Sequence, residues 1–338
     1  MIGISMRELA EKLNVSVASV SVALRGKPGI SEETRARILE EAKRLGYDMR
    51  RLSTPESKGV IEVIDHTYYN HCDNPQNIPY YTQFLEAVTT TVATHGYALS
   101  GPLKPTDPEF ASRPKADGSI LIGAGITAEE LTGYQQSSTP FVVAGNSLPD
   151  LPVNTVSHDN YGSILAGISH LTSLGHTHIG YVGSPQGPAG RERLQAYQLG
   201  MNSKGLDTDL LFEIPEIISV TPGTYSDRLV QCIHDWLNEV IDAFPTAFLC
   251  DNDFTAAALM RALRSHGQIP GKDVSVIGFD DQPFAALLEP PLTTIHIYES
   301  ELGNAAVEQL IYNIEHPEAH YRHVKVGTEL IIRESVKP

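Results

Sequence analysis

Three short polar clusters stand where a parallel sheet would expose them, each just after an apolar run. The run His178–Val182 is followed by a glycine- and proline-rich loop, Gly183 to Gly190, and then by Arg191-Glu192-Arg193 at a helix start. The run Ala247–Cys250 is followed by Asp251-Asn252-Asp253, and Val274–Ile277 by Gly278-Phe279-Asp280-Asp281. A guanidinium donates in a fork, a carboxylate accepts two bonds, and an amide does both. Together they can satisfy the neighbouring hydroxyls of a polyol. Arg193, Asn252 and Asp280 are read as ligand-facing, with Asn146 reaching the same cleft from the end of its own strand. Asp253 and Asp281 are read as helix caps and Arg191 as a surface charge.

Other chemistries fit less well. Gly123-Ala124-Gly125-Ile126-Thr127-Ala128 matches a dinucleotide-binding turn in its strand-to-helix setting. That motif needs an acid at the end of the next strand, which instead closes on Val143-Ala144-Gly145-Asn146. It is read as a plain turn, and an enzyme using it as an unfavoured alternative. His66, His71, Cys72 and Asp73 match no regular zinc spacing, so no metal and no cofactor are expected. No Ser/His/Asp constellation and no paired carboxylates suggest catalysis. Trp236 falls in a helical core stripe with Leu229, Ile233, Leu237 and Val240.

The elements that must position these groups begin at position 59, where short apolar runs alternate with helical patterns. Val60–Ile64 reads as a strand and Tyr81 to about Thr94 as a helix, with further strands at 119–122, 141–144, 178–182, 247–250 and 274–278. The alternation implies parallel sheets built from right-handed βαβ units. There are too many strands for one comfortable sheet. Two doubly wound lobes are expected, with a small molecule in the cleft between them, beyond the carboxyl ends of the strands.

The first fifty residues are different. Ser5-Met6-Arg7-Glu8 fits a capping box, Leu9, Ala10 and Leu13 share one face, and Asn14-Val15 breaks the helix. Ser16 can cap a second helix from Val17 to about Leu24, and Ser31 a third from Glu32 to Leu45 that stops at Gly46. A short helix, a tight turn and a second helix with a hydroxyl-rich face suit the DNA major groove. The whole chain carries 25 basic and 41 acidic residues, a net charge of −16. Residues 1–58 nevertheless hold 11 Lys/Arg against 8 Asp/Glu, so a slightly basic head sits on an acidic body.

With 338 residues there is room for a head and a two-part core. No apolar run is long enough for a membrane span, and charged residues occupy the place of a signal-peptide core. Three widely spaced cysteines, Cys72, Cys232 and Cys250, suggest a reducing compartment, and a cytoplasmic location is expected.

Over nearly its whole length the chain resembles the LacI/GalR family of transcriptional regulators. The resemblance is carried by Met6-Arg7-Glu8-Leu9-Ala10, Val15 to Ser21, Ile30 to Arg35, Leu45-Gly46-Tyr47 and Leu174-Gly175-His176. Arg191-Glu192-Arg193, Asp251-Asn252-Asp253, Val274 to Asp281 and Pro290 to Ile295 carry it further. It implies a small all-α helix-turn-helix domain (1–48), a hinge (49–58) and an α/β two-lobed body like the type I periplasmic binding proteins (59–338), each lobe a doubly wound, mainly parallel sheet. The lobes would be discontinuous, with an N-lobe of about 59–158 and 292–323 and a C-lobe of about 159–291 and 324–338.

The resemblance also implies a repressor that binds a palindromic operator in double-stranded DNA as a homodimer, modulated by a sugar or sugar derivative in the cleft. A dimer is expected over a tetramer, since no heptad pattern precedes Pro338. Alternatives are a nucleoside or purine effector, or a protein co-regulator with weak DNA binding. By position, Val17, Ala18 and Val22 would face base edges. Ser16, Ser19, Ser21, Ser31, Thr34 and Tyr47 would hold phosphates or sugars, with Ser5, Met6, Arg25, Arg50 and Arg51 completing the DNA-facing set. Arg193, Asn252 and Asp280 would be the effector's polar contacts, and Tyr80, Tyr225 and Tyr298 its aromatic walls.

Two departures stand out. Val17, Ala18 and Val22 replace long polar side chains and can only pack on thymine methyls. In the hinge, Pro55 interrupts a helix, and Glu56 stands where a leucine would wedge into the minor groove. Weak DNA bending is expected.

Overall fold

In the computed structural model of the chain, residues 6–13, 15–24, 29–45, 57–66, 78–108, 110–123, 126, 128–185, 187–215, 225–240 and 244–337 are described. The chain forms two compact units, Met1–Lys58 and Gly59–Pro338.

The first unit contains α1 (Met6–Leu13), α2 (Val17–Leu24) and α3 (Glu32–Arg44). The turn after α1 closes with Val15 N donating to the Ala10 carbonyl at 3.1 Å. Ser16 Oγ accepts from Ser19 N at 3.0 Å and so caps α2, while Ser31 Oγ caps α3 by accepting from Thr34 N at 3.2 Å. Leu9, Ala10, Val20, Ala23, Leu24, Ile38 and Ala42 form the small core. Helix α3 stops at Arg44, one residue before the expected end, with Leu45 as its cap. Ser5 of the capping box, Gly46 and hinge residues 49–56, with Pro55 and Glu56, lie outside the described residues.

The second unit holds two six-stranded sheets. The first is built from β1 (Val60–Asp65), β2 (Ala98–Leu103), β3 (Gly118–Ile122), β4 (Phe141–Ala144), β5 (Thr155–His158) and β11 (His323–Val326), in the order β11-β5-β4-β3-β1-β2. The second is built from β6 (Ile179–Gly183), β7 (Leu211–Glu213), β8 (Ala247–Cys250), β9 (Ser275–Asp280), β10 (Thr293–His296) and β12 (Glu329–Ile331), in the order β12-β10-β9-β8-β6-β7. Every pairing is parallel except β10 with β12. The fold is therefore two α/β lobes with mostly parallel sheets.

Helices α4 (Ile78–Thr94) and α10 (Glu299–Glu315) pack on the first sheet, burying Phe84, Val88, Leu302 and Val307 among its strands. Helix α5 (Ala128–Gln136) follows β3. In the second lobe α6 (Asn160–Ser173) and α7 (Gly187–Ser203) cover one face, and α8 (Tyr225–Glu239) and α9 (Asp253–Ser265) the other.

The structure corrects three expectations. Strand β10 pairs with β9, Thr293 opposite Ile277 and His296 opposite Asp280. The second passage between lobes thus follows His296 instead of falling near Leu292. Strand β11 pairs with β5, so the third passage follows Val326 and not residue 323. The backbone ladders decide both points, and an isolated four-residue apolar run carries no sign of which sheet it joins. The strand–helix alternation also fails at four junctions. Among the described residues no helix stands between β4 and β5 or between β11 and β12, and only the 3-10 turn Ala285–Leu287 stands between β9 and β10. Between β2 and β3 the described residues hold only a 3-10 turn, Phe110–Ser112.

Candidate functional site

Strand β9 runs two residues beyond its expected end, which makes Asp280 its last residue. Asp280 has φ +102° and Asp281 φ +53°, backbone that non-glycine residues seldom adopt and that clusters at functional sites. The turn carries the Asp280 carboxylate toward α7, where Arg193 projects from the second turn. Arg193 Nε donates to Asn160 Oδ1 at 2.8 Å, and one terminal nitrogen donates to the Asp251 carbonyl. The other lies 3.5 Å from Asp280 Oδ1. The guanidinium carbon stands 3.5 Å from the centroid of the Phe279 ring, which is fully buried beneath it.

Asp251, at the end of β8, accepts from Ser184 N at 2.7 Å and so joins the β6 and β8 ends. Burial pushes the Asp280 carboxyl up to about 7, with Arg193 pulling against it. Its side chain keeps 23% of its surface open. His158, at the end of β5, is pushed down to about 3 by burial first and then by Arg193, His296 and Lys325. It is neutral at physiological pH.

Asn252 caps α9, its side-chain oxygen accepting from Thr255 N at 2.8 Å. This leaves the amide nitrogen as the group able to meet a ligand. The expected cap, Asp253, is instead fully buried and ties three elements together. It accepts from Thr294 Oγ1 at 2.5 Å and from Gln282 N at 2.6 Å, and burial raises its carboxyl to about 8. Asp281 caps no helix either. It pairs with Arg333 at 2.7 Å and His296 at 3.0 Å.

In the first lobe Asn146 is buried, and its amide nitrogen donates to the Gly123 carbonyl. It clamps the β3 and β4 ends together and does not offer that amide to a ligand. Tyr298 meets His296 edge-on and donates to Glu329 Oε2 at 2.7 Å. The side chains of Tyr80 and Tyr225, at the starts of α4 and α8, lie outside the described residues. The structure thus brings together Arg193, Asp280 and the backbone of Asp251, and adds Asn160, Phe279 and His158, which sequence reasoning missed. The signal for Asn160 was present, since it opens the helix after His158, but only folding places it beside Arg193. Among the described residues no group of three or more His, Cys, Asp or Glu could hold a metal ion.

In the first unit Val17 is 46% exposed, whereas Val20, one turn on, is fully buried. Val22, Ser19, Ser21 and Thr34 are half-buried, and Ser16 and Ser31 exposed. Ser16 Oγ pairs with Ser19 Oγ, and Ser31 Oγ with Thr34 Oγ1, each at 2.8 Å. Both hydroxyl pairs sit at helix N-termini, where backbone N–H groups favour phosphate. The side chains of Met6 and Ala18 lie outside the described residues, as do Ser5, Arg25, Tyr47, Arg50 and Arg51 entirely. No described helix is long and apolar enough to cross a membrane.

Two family models match. The model of the bacterial regulatory proteins, lacI family, covers residues 5–48, and that of a periplasmic binding protein-like domain covers 168–336. The HTH-type transcriptional repressor CytR of Escherichia coli (strain K12) is 27% identical over 348 residues, covering 98% of this chain and 96% of the relative. The Lac repressor dimer solved with operator and the anti-inducer ONPF superposes with a TM-score of 0.75 at 21% identity, covering 99% of this chain and 100% of that one. The transcriptional regulator CelR–cellobiose complex gives 0.69 at 22% identity, covering 98% and 99%.

Proposed function

The chain belongs to the LacI family of bacterial regulatory proteins, and from that premise we propose that it is a repressor whose cleft takes a sugar or sugar derivative. Its class is that of a DNA-binding transcriptional regulator and not of an enzyme. We read its DNA-binding surface as Val17, Ala18 and Val22 toward the bases, with the Ser16–Ser19 and Ser31–Thr34 hydroxyl pairs toward phosphates. A homodimer on a palindromic operator fits the dimeric repressor solved on its own operator. With DNA as its partner, the protein works in the cytoplasm.

The observation that carries the effector reading is the Arg193–Asp280 pair at the carboxyl ends of the C-lobe strands. The ion pair is long, at 3.5 Å, and Asp280 is partly open. A hydroxyl pair of a bound sugar can accept from Arg193 and donate to Asp280, replacing an imperfect contact with two directed ones. Asn252 adds a donor from the next strand end. Effector binding then regulates DNA affinity to the extent that the two lobe arrangements differ in affinity for the ligand.

The test is thermal stability against a panel of mono- and disaccharides, polyols and nucleosides, repeated with Arg193→Ala and Asp280→Ala. A ligand in excess over its Kd raises the melting temperature by mass action. A sugar that stabilises the parent chain and neither variant supports the assignment. A nucleoside as the sole hit, or stabilisation that survives both substitutions, overturns it.

A further inference from the structure

A continuous run of polar contacts links the candidate effector arginine to the opposite lobe. Arg193 Nε donates to Asn160 Oδ1, and Asn160 Nδ2 donates to Glu192 Oε2 at 2.9 Å. Both ends of the Asn160 amide are thereby used, on a side chain that is 2% exposed. Glu192 Oε1 accepts from Lys325 Nζ at 2.6 Å, and Lys325 Nζ also donates to Ser147 Oγ at 3.0 Å. Glu192 and Asn160 belong to α7 and α6 of the C-lobe. Lys325 lies on β11 and Ser147 just after β4, both in the N-lobe.

The lobes are otherwise joined where the chain passes between them. Asp159 N donates to the Val326 carbonyl at 2.9 Å, and Ser163 Oγ meets Thr328 Oγ1 at 2.7 Å. Those contacts lie at the passages themselves and can persist through a hinge motion. The Lys325–Glu192 contact joins long side chains of the two lobes, Lys325 from β11 one residue before the third passage and Glu192 from α7, and requires the lobes to stand close there.

We propose that Lys325 and Glu192 form an interlobe latch that acts through Asn160 as the positioning residue for Arg193. Separating the lobes removes Lys325 from Glu192 and loosens the carboxylate that holds the Asn160 amide. Arg193 then loses the acceptor that orients its Nε. The converse also holds by linkage, because a ligand that fixes Arg193 in this pose favours the closed latch. The inference concerns regulation of the site proposed above and rests on that reading. Its test needs neither effector nor operator, so it can fail while the effector assignment stands.

The measurement is the distance between spin labels on Glu86→Cys and Asn202→Cys, exposed positions on α4 and α7, without ligand or DNA. The chain also carries Cys72→Ser and Cys232→Ser, and is diluted with unlabelled protein. Cys250 is buried and stays. The latched chain gives one narrow distance. Lys325→Met and Glu192→Gln each raise the population of longer distances about two- to fivefold, the range for a partly exposed ion pair. The double variant adds nothing beyond either single one, because both remove the same contact.

The second readout is hydrogen exchange at Arg193 Nε–H, which speeds by the same factor in Lys325→Met although that residue touches neither Arg193 nor Asn160. A role confined to local packing would leave it unmoved. Unchanged distances in both single variants, additive broadening in the double variant, or unchanged exchange in Lys325→Met overturns the proposal. Lys325→Gln serves as a second variant at that position.

Discussion

The Arg193 guanidinium lies 3.5 Å above the Phe279 ring, on a side chain that is itself fully buried. An arginine set on a rigid aromatic floor has lost most of its rotamer freedom before a ligand arrives. One terminal nitrogen then faces the partly open carboxylate of the next residue, Asp280.

Replacing Arg193 by lysine should therefore cost more than a conserved charge suggests. A single ammonium cannot donate in a fork or stack flat on Phe279. Calorimetry with the ligand found in the panel should show a loss of about 1.5–3 kcal/mol, typical of a hydrogen bond to a charged group. An affinity within twofold of the parent would oppose the role given to Arg193.

The pH dependence carries two opposing signs. The Asp280 carboxyl is raised to about 7 in the fold, so between the unfolded value near 3.8 and about 7 the native state holds the extra proton. That contribution is present below 3.8 and is lost as pH rises toward 7. His158 is lowered to about 3, so between about 3 and 6.5 the unfolded state holds the extra proton, and stability rises with pH. Denaturant unfolding should show Asp280→Asn gaining on the parent chain as pH rises from 4 to 7. His158→Gln should gain on the parent as pH falls from 6.5 to 3. Curves parallel to the parent in both variants would contradict these environments.

On the DNA side, Val17 is exposed and apolar where a base reader is proposed. Val17→Arg and Val22→Arg each introduce a donor fork that suits guanine better than a thymine methyl. Selection from a randomised duplex pool should return a shifted consensus for at least one of them. The parent sequence recovered by both would remove these valines from the recognition surface.

Gly278 offers a sharp stability test. A Cβ there would lie 2.3 Å from Asp253 Oδ1 and 2.8 Å from Leu292 Cδ2. Gly278→Ala should destabilise by about 1–3 kcal/mol through overpacking. Gly133, within α5, has nothing within 4 Å of its missing Cβ, and Gly133→Ala should instead stabilise by about 0.5–1 kcal/mol. Thermal unfolding of the two variants should move in opposite directions.

What the sequence determined by itself was local and periodic. Ser16 and Ser31 announced helix starts because a hydroxyl at that position satisfies a free N–H wherever the helix goes. The apolar runs of β1, β3, β4, β6, β8 and β9 announced parallel strands because strands buried on both faces are continuously apolar. Arg193 and Asp280 were legible as candidates because each lies in a short polar cluster that follows an apolar run.

Tertiary structure decided what depends on neighbours distant in sequence. Pairing of β10 with β9 and of β11 with β5 moved two lobe boundaries, since hydrogen-bond ladders form between strands that carry no label for one another. Asn252 took the cap expected of Asp253, and Asp253 became a buried tie. The oxygen that caps α9 is set by backbone angle, and Asp253 is buried by contacts with Gln282 and Thr294 some thirty to forty residues away. Asn146 looked free to meet a ligand until the β3 turn brought the Gly123 carbonyl to it. The Asn160–Glu192–Lys325 run was invisible for the same reason. Its members lie on two lobes, and only their folding makes three ordinary polar residues into one path to Arg193.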